Sequence, residues 1–258
     1  MIMYVTAYLF KQQQLLVNPH FQLPSVPQQQ QDLIVSVTSD VIARDVQDHD
    51  VSHMVAQGYQ WLDLRQLVQI WHVEQFKQAS RALQLLEWQR NYKFCSRCAH
   101  PVQLLLTQYV MCCSACGYRY YPRVNPCVIT LITRGQDEIL LAKNARTKTQ
   151  MYSLIAGFVE VGENVEEAVH RETFEEVGLQ IKNLQYFASQ SWPFPSNLML
   201  AFRAEYAAGD IQLQAKELSD AQFFKLDQLP ELPFSGSIAH RMIMDWIQRM
   251  KNQCNQFK

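Results

Sequence analysis

"GFVEVGENVEEAVHRETFEEVGL", residues 157–179, holds seven glutamates but only two side chains that can carry positive charge, His170 and Arg171. Glu172, Glu175 and Glu176 fall within five residues of one another, in a chain whose formal net charge is only −1. Periodicity predicts a helix over 163–177. At about 100° per residue, Val165, Ala168 and Val169 form an apolar stripe, and Glu172 and Glu176 continue it. Glu175 stands beside them, while Glu166 and Glu167 lie elsewhere. Like charges four residues apart destabilise a bare helix, and partial burial makes the conflict worse. A divalent cation removes it, and oxygen-only ligands suit Mg2+ or Mn2+. The bland alternative is a solvated acidic face, which the apolar stripe running into the glutamates weakens.

The surrounding sequence reads as mixed strands and helices, an α/β or α+β pattern. "CVITLIT" from Cys127 and "ILLA" from Ile139 are expected to form a hairpin. "LMLAFRAEY" (198–206) and "AQFFKL" (221–226) read as further strands. "SGSIAHRMIMDWIQRMKNQ" reads as a closing helix, with Ile238, Met242, Trp246 and Met250 on one face and Ser235 or Ser237 as its cap. Residues 1–92 read as a first unit. In it "DLIVSV" (32–37) is a candidate strand, and Phe76, Ala79, Leu83, Leu86 and Arg90 recur at helical spacing. The glutamine runs at 12–14 and 28–31 read as polar loops. The near-neutral charge argues against a general polyanion-binding surface but leaves local basic patches open. No apolar run reaches the ~20 residues of a membrane helix, and "MIMYVTAYLFKQQQ" lacks the basic region and cleavage site of a signal peptide. The expectation is a cytoplasmic protein with no membrane association.

Seven cysteines are present, and five of them lie between residues 95 and 116. The pattern Cys95-x2-Cys98-x14-Cys113-x2-Cys116 lets four thiolates converge on one structural zinc, with the linker forming the hairpin of a zinc ribbon. "CC" at 112–113 offers two candidates, and Cys113 is the one that completes the second CxxC. Lys93, Arg97 and Arg119 would offset the net −2 of such a centre. Four protein ligands leave no open position, so no catalysis is assigned to it.

The spacing Gly157-x5-Glu163-x7-Arg171-Glu172-Thr173-x-Glu175-Glu176-x-Gly178-Leu179 resembles the signature of the Nudix hydrolase family. Thr173 departs from it, standing where the family has a bulky aliphatic residue. The resemblance implies an α/β/α sandwich that cleaves a nucleoside diphosphate linked to another group, using Mg2+ or Mn2+. It implies that Glu172 and Glu176 are metal ligands and that Glu175 is a further ligand or the base that helps activate water. It also implies that Arg171 holds the glutamates and that the carbonyl of Ala156 is a ligand. A second stretch, "SQSWPFPSN" (189–197), is similar to SQPWPFPxS, which marks the NADH pyrophosphatases of that family, also known as NAD-capped RNA hydrolases. Ser191 and Asn197 are the departures. Read from composition alone, the same stretch is a proline-rich turn with core aromatics.

That branch resembles the chain over essentially its whole length. The implied layout is an α+β N-terminal domain over 1–92, a zinc ribbon over 93–122 and a Nudix domain over 123–258. The substrate-site residues implied are Gln190, Ser191, Trp192, Pro193, Phe194, Pro195, Ser196 and Asn197, with Tyr121 from "RYYPR", Phe158 beside the nicotinamide half, Ala239, and Arg65 on a weaker alignment. Glu217 is implied as a metal ligand outside the signature. "KNARTK" (143–148) is a candidate for steering phosphates or an RNA strand. The implied reaction is NADH + H2O → NMNH + AMP, with NAD+ accepted and NAD-capped RNA trimmed to a 5′-monophosphate. Members of the branch are homodimers. Two alternatives stand: a Nudix hydrolase for another dinucleoside or an ADP-sugar, and a nucleic-acid-binding regulator with a silent Nudix domain. The complete glutamate set speaks against the second.

Overall fold

The computed structural model describes residues 3–29, 31–35, 41–105, 109–147 and 149–256. Contacts divide the chain into two units: one reaches to Val124 and includes Pro193–Ser196, the other comprises Asn125–Trp192 and Asn197–Lys258.

In the first unit, β1 (Tyr4–Lys11), β2 (Gln14–Val17), β3 (Ser25–Pro27), β4 (Leu33–Ile34), β5 (Val41–Asp45) and β6 (Gln60–Asp63) make one sheet. Its order is β4-β5-β1-β2-β6, with β3 beside β1. The apolar start of the chain is therefore a strand. It is central and well buried, and its pairing with β5 is parallel. "DLIVSV" is realised only as the two residues of β4, and Ser36 and Val37 lie outside the described residues. The preceding Asp32 is buried and gripped by Arg44, whose Nε and Nη2 donate to its two oxygens at 2.7 and 2.8 Å. Two short helices, α1 (Ser52–Ala56) and α2 (Leu64–Leu67), precede α3 (Val73–Asn91). α3 buries Phe76, Ala79, Leu83 and Leu86 of the helical-spacing set read from sequence, while Arg90, its fifth member, is half-buried. A separate antiparallel sheet follows: β7 (Val102–Leu105), β8 (Val110–Cys113) and β9 (Arg119–Tyr120).

The second unit is built on β10 (Asn125–Arg134), β11 (Glu138–Asn144), β12 (Ile155–Phe158), β13 (Gln180–Trp192), β14 (Asn197–Ala208) and β15 (Leu218–Lys225), with α4 (Val165–Val177) and α5 (Ile238–Gln256). The sheet order is β13-β14-β10-β11-β15, and β12 pairs with β10. β10 is buried on both faces, and its alternation assigns each side a helix. Val128 and Ile132 pack with Ala168, Val169 and Val177 of α4. Ile129 and Leu131 pack with Met242, Ile243 and Trp246 of α5. This is the α/β/α sandwich. α4 starts two residues later than the periodicity placed it, because Asn164 caps it. The Asn164 side chain accepts from Glu167 N, and Glu167 returns a carboxylate to Asn164 N. Of the two serines proposed to cap α5, Ser237 does so, accepting from His240 N at 3.2 Å. β13 is the main element absent from the sequence reading. Its register breaks in three places against β14, and Asn183 sits at φ 54°, so no clean alternation marks it. Among the described residues no helix is long and apolar enough to cross a membrane.

The ribbon sheet answers the question left by "CC". Neighbouring residues on a strand point to opposite faces. Cys113 is buried and its sulfur lies 3.5 Å from that of Cys98, whereas Cys112 is turned away. The ligand atoms of Cys95, Cys98, Cys113 and Cys116 all lie within 4.8 Å of one another, with Cys95–Cys116 at 3.6 Å and Cys98–Cys116 at 3.4 Å. Zn–S bonds of ~2.3 Å in a tetrahedron require sulfurs ~3.8 Å apart, so the set fits zinc. Without a cation the four thiols compete. Burial opposes ionisation of Cys95, yet hydrogen bonds led by the Tyr120 hydroxyl at 3.1 Å pull it down to about 6. For Cys98, the backbone hydrogen bond from His100 favours the thiolate, but Cys116, burial and the other thiols push it up to about 12. A dication lets all four ionise together. Cys113→Ser should therefore strip zinc from the protein and lower its thermal midpoint, while Cys112→Ser keeps one equivalent. Metal analysis of the two purified variants reads this directly, and the reverse pattern would reassign the fourth ligand.

Candidate functional site

The segment between β12 and α4 is shaped by one guanidinium. Arg171 Nε and Nη2 donate to the two oxygens of Glu163 at 2.8 and 2.9 Å. Nη1 donates to Glu172 at 2.8 Å and Glu175 at 3.1 Å. Nη2 also donates to the Phe158 carbonyl at 2.8 Å. The planar fork thus ties the loop to the helix face. Glu163 is drawn well below the usual carboxylate range by Arg171 first and then by the Glu160 N–H. The sequence reading gave Glu163 no role. Its bidentate bond to Arg171 is the missing one, and its place eight residues before Arg171 is the only signal that could have found it.

Along α4 the glutamates differ in setting. Glu175 is exposed, Glu172 is half-buried, and Glu176 is only 5% exposed. Burial pushes Glu176 up to about 8, and the charges of Glu172 and Glu217 add to this. Burial likewise raises Glu172, against the lowering effect of Arg171. Among the described residues Glu176 forms no ion pair. A buried carboxylate with two more carboxylates around it and no cation is stable only protonated, or with a metal. That environment is the fit for a divalent ion. Cys127, under the same carboxylates, is pushed up to about 12 by burial and then by Glu172 and Glu176, so it stays a neutral thiol.

Two backbone features hold this face in place. A Cβ on Gly157 would stand 1.9 Å from Cδ of Glu172, so only glycine lets the strand and the carboxylate meet. Gly178 caps α4 at φ 72°, a left-handed conformation that suits glycine. Ala156, next to Gly157, pairs with Ile129 on β10. Thr173, the departure from the aliphatic pattern, is fully buried, and its hydroxyl donates to the Val169 carbonyl at 2.7 Å. The polar group is thereby satisfied and the position packs as expected of an apolar one. Glu217, just before β15, is part exposed and lies 3.9 Å from Arg146. Of "KNARTK", Arg146 therefore faces a carboxylate, Lys143 donates to Gln150 at 2.5 Å, and Lys148 lies outside the described residues.

"SQSWPFPSN" forms the end of β13, a turn over Pro193–Ser196, and the start of β14, with Trp192 paired to Asn197. Gln190 is fastened to the start of α5: its Nε2 donates to the Gly236 carbonyl at 2.8 Å, and its Oε1 accepts from Ile238 N at 2.7 Å. Ser191 is exposed. Trp192 stacks on Phe234, with ring centroids 5.9 Å apart and planes 23° apart. Ala239 is buried in the core beneath α5, and Phe158 is exposed. Four residues of the motif group with the first unit. There Pro193 is buried and Pro195 exposed, while Ser196 donates to the Arg123 carbonyl at 2.9 Å. Phe194, one of the implied substrate-site residues, is only 8% exposed. The guanidinium of Arg65 stands 4.5 Å above its ring, so the structure brings together two residues that the sequence reading named separately. Tyr121, also in the first unit, is exposed.

With this geometry in view, comparison with known proteins is specific. Residues 123–247 match the NUDIX domain family, and residues 90–121 match the NADH pyrophosphatase zinc ribbon domain. The chain is 47% identical over 202 residues to the NAD-capped RNA hydrolase NudC of Chromobacterium violaceum, covering 78% of this chain and 76% of that one. It is 49% identical over 172 residues to the protein of the same name from Pectobacterium atrosepticum, covering 67% and 66% of the two chains. Among solved structures, a NUDIX hydrolase from Nitrosomonas europaea aligns with a TM-score of 0.51 at 25% identity, over 63% of this chain and 93% of that one. Sequence, fold and ribbon together place the chain in the Nudix hydrolase family, in its NADH pyrophosphatase and NAD-capped RNA hydrolase (NudC-type) branch.

Proposed function

We propose that this protein hydrolyses the pyrophosphate bond of NAD(H) to NMN(H) and AMP, and removes the NAD cap from RNA to leave a 5′-monophosphate. The observation that carries the reading is the buried Glu176, whose carboxyl is raised first by burial and then by the charges of Glu172 and Glu217, and which forms no ion pair among the described residues. Glu172, Glu176 and Glu217, with the Ala156 carbonyl, would hold Mg2+ or Mn2+. When bound, such an ion neutralises pyrophosphate oxygens and lowers the pKa of water. Glu175, exposed and tethered through Arg171, is either a further ligand or the base that takes the proton from the attacking water. Arg171 fixes the glutamates through its bonds to Glu163 and the Phe158 carbonyl. Phe158 and Trp192 offer ring faces to the dinucleotide, while Gln190 and Ala239 shape the wall at the start of α5. Tyr121, Arg65 and Ser191, and the Pro193–Asn197 segment, complete the candidate substrate set, with Phe194 acting as the seat of Arg65. We further take the protein to be a cytoplasmic homodimer. Zinc thiolates and a neutral Cys127 suit a reducing compartment, and sedimentation tests the dimer.

Hydrolysis of NADH, NAD-capped RNA and ADP-ribose compared side by side, with products identified by mass, tests the reading. NMNH with AMP, and 5′-monophosphate RNA, are expected. Preferential turnover of ADP-ribose would favour the ADP-sugar alternative. In the same assay Glu176→Gln should bind NADH but lose nearly all turnover, because an amide cannot replace the anionic ligand. Near-wild-type turnover at saturating metal would remove Glu176 from the site.

The raised pKa of Glu176 has a consequence independent of activity. In metal-free protein near pH 7 its carboxyl is mostly protonated, so binding a divalent ion must displace that proton. Calorimetry in buffers of different ionisation enthalpy should register release of about one proton at pH 7, vanishing as pH rises past about 9. Release that does not change with pH would mean that Glu176 is already ionised.

Trp192→Ala should lower kcat/KM on NADH by about ten- to a hundredfold, the scale of one lost ring stack of ~1–3 kcal/mol. ADP-ribose, lacking the second ring system, should lose less. Equal losses on both substrates would make Trp192 a packing partner of Phe234 and nothing more.

A further inference from the structure

Three cavities differ in how their charges are spent. One of about 840 Å3 in the first unit places Arg44, Arg90 and Lys93 beside Asp45 and Asp50, and Arg44 is committed to Asp32. One of about 940 Å3 in the second unit sets Arg203 and Arg249 against Asp137 and Glu205. The third, of about 150 Å3, is lined by Arg81, Gln84, Tyr109, Arg123 and Ser196 among others, and by no carboxylate. Its two guanidinium groups lie over aromatic rings, Arg81 at 5.0 Å from the centre of Tyr109 and Arg123 at 5.6 Å from that of Tyr92. Among the described residues neither forms an ion pair. Stacked arginines keep their N–H edges available for a planar or tetrahedral anion.

The sequence around this cavity is unusual in the same sense. From Trp88 to Gln136 there is no aspartate or glutamate, but five arginines and a lysine. The rest of the chain must then be acidic, since the whole carries −1. Arg90 in this stretch pairs with Asp45 and Glu87, and Arg134 with Glu138, whereas Lys93, Arg97, Arg119 and Arg123 form no ion pair among the described residues. Phe94 and Tyr118 are exposed there, and exposed rings among such cations suit a single strand better than a duplex. The cavity also touches the specificity motif. Ser196, which lines it, accepts from Gln84 at 3.3 Å and donates to the Arg123 carbonyl. Along the chain it directly precedes Asn197, the hairpin partner of Trp192.

We propose that the Arg81–Arg123 cavity binds a backbone phosphate of the RNA strand that follows the cap. This rests on the capped-RNA part of the proposed function. It supplies what the glutamate site lacks, a means of telling a capped strand from the free dinucleotide, which has no phosphate beyond the pyrophosphate it offers for cleavage. Arg81 and Arg123 act on binding, not on the hydrolytic step.

The test uses the full-length zinc- and Mg2+-loaded protein, with NADH and a short single-stranded NAD-capped RNA as substrates. Arg81→Gln/Arg123→Gln should raise KM for the capped RNA about tenfold while kcat, and both constants for NADH, stay within about twofold. The slope of log kcat/KM against log salt for the RNA should flatten by about one. Arg81→Lys/Arg123→Lys should keep most of that slope, since charge remains. Fluorescence anisotropy with a 5′-monophosphate RNA of the same sequence reads the cavity without any turnover, and the Gln variant should bind it about tenfold more weakly. Unchanged RNA binding and KM in the Gln variant overturn the proposal. So does an equal loss on NADH, which would make the cavity a dinucleotide subsite. A wild-type protein that cleaves NADH but not capped RNA overturns the RNA half of the proposed function. Anisotropy loss in the Gln variant would, even then, uphold the cavity as an RNA site.

Discussion

The second unit depends on the Arg171 guanidinium. Three carboxylates and one carbonyl converge on it. Without it, Glu163, Glu172 and Glu175 would repel one another across the junction of loop and helix. With it, repulsion becomes a clamp that holds the loop against α4 and settles where each carboxylate points. The clamp is selective. It neutralises Glu163 strongly and Glu172 in part, and leaves Glu176 outside its reach in the core. A stability-driven helix would not bury there a carboxylate that forms no ion pair among the described residues. The residual conflict at Glu176 is the part of the structure that calls for a cation, and the remainder of the sandwich positions that conflict.

Gly157 and the capping of α4 show how tightly the position is set. The strand passes so close to Glu172 that a single methyl group would displace the carboxylate. Asn164 at one end and Gly178 at the other define where α4 begins and stops, and so fix the rotation that sends Glu172 and Glu176 inward. Thr173 gives the limit of side-chain tolerance on the buried side. A hydroxyl is acceptable because the helix backbone four residues earlier can take its proton, which is cheaper than leaving it without a partner.

What was legible in the sequence follows from range. The acidic helix, the four cysteines, the hairpin from β10 to β11 and the closing helix all declare themselves within a short window, through period or spacing. β13 does not, because its bulges and Asn183 break the alternation that would mark it. β1 was visible as an apolar run, but nothing local distinguishes a central strand from any other apolar start. The bond from Arg171 to Glu163 was half legible: both residues belong to the signature, yet the spacing does not say that they touch. Arg65 over Phe194 was not legible, since the two stand far apart in sequence and meet only through the fold. Phe194 shows the same limit from the other side. Two flanking prolines suggest a rigid plate, and only the packing reveals that its face is covered.

Charge segregation explains why net charge misleads for this chain. The near-neutral total suggested no preference for polyanions. Yet the glutamates are concentrated over residues 157–179, while the stretch from Trp88 to Gln136 holds none. The zinc centre itself contributes negative charge from four thiolates, so some of the neighbouring cations serve the ribbon, as Lys93, Arg97 and Arg119 were read to do. Arg81 and Arg123 are different in kind, being seated on Tyr109 and Tyr92 rings and lining a cavity that no carboxylate enters. An enzyme that must gather acidic ligands around a metal, and also approach a polyanionic substrate, has to keep those two charge populations apart. A sum over the whole sequence cannot reveal that separation; the placement of individual residues does.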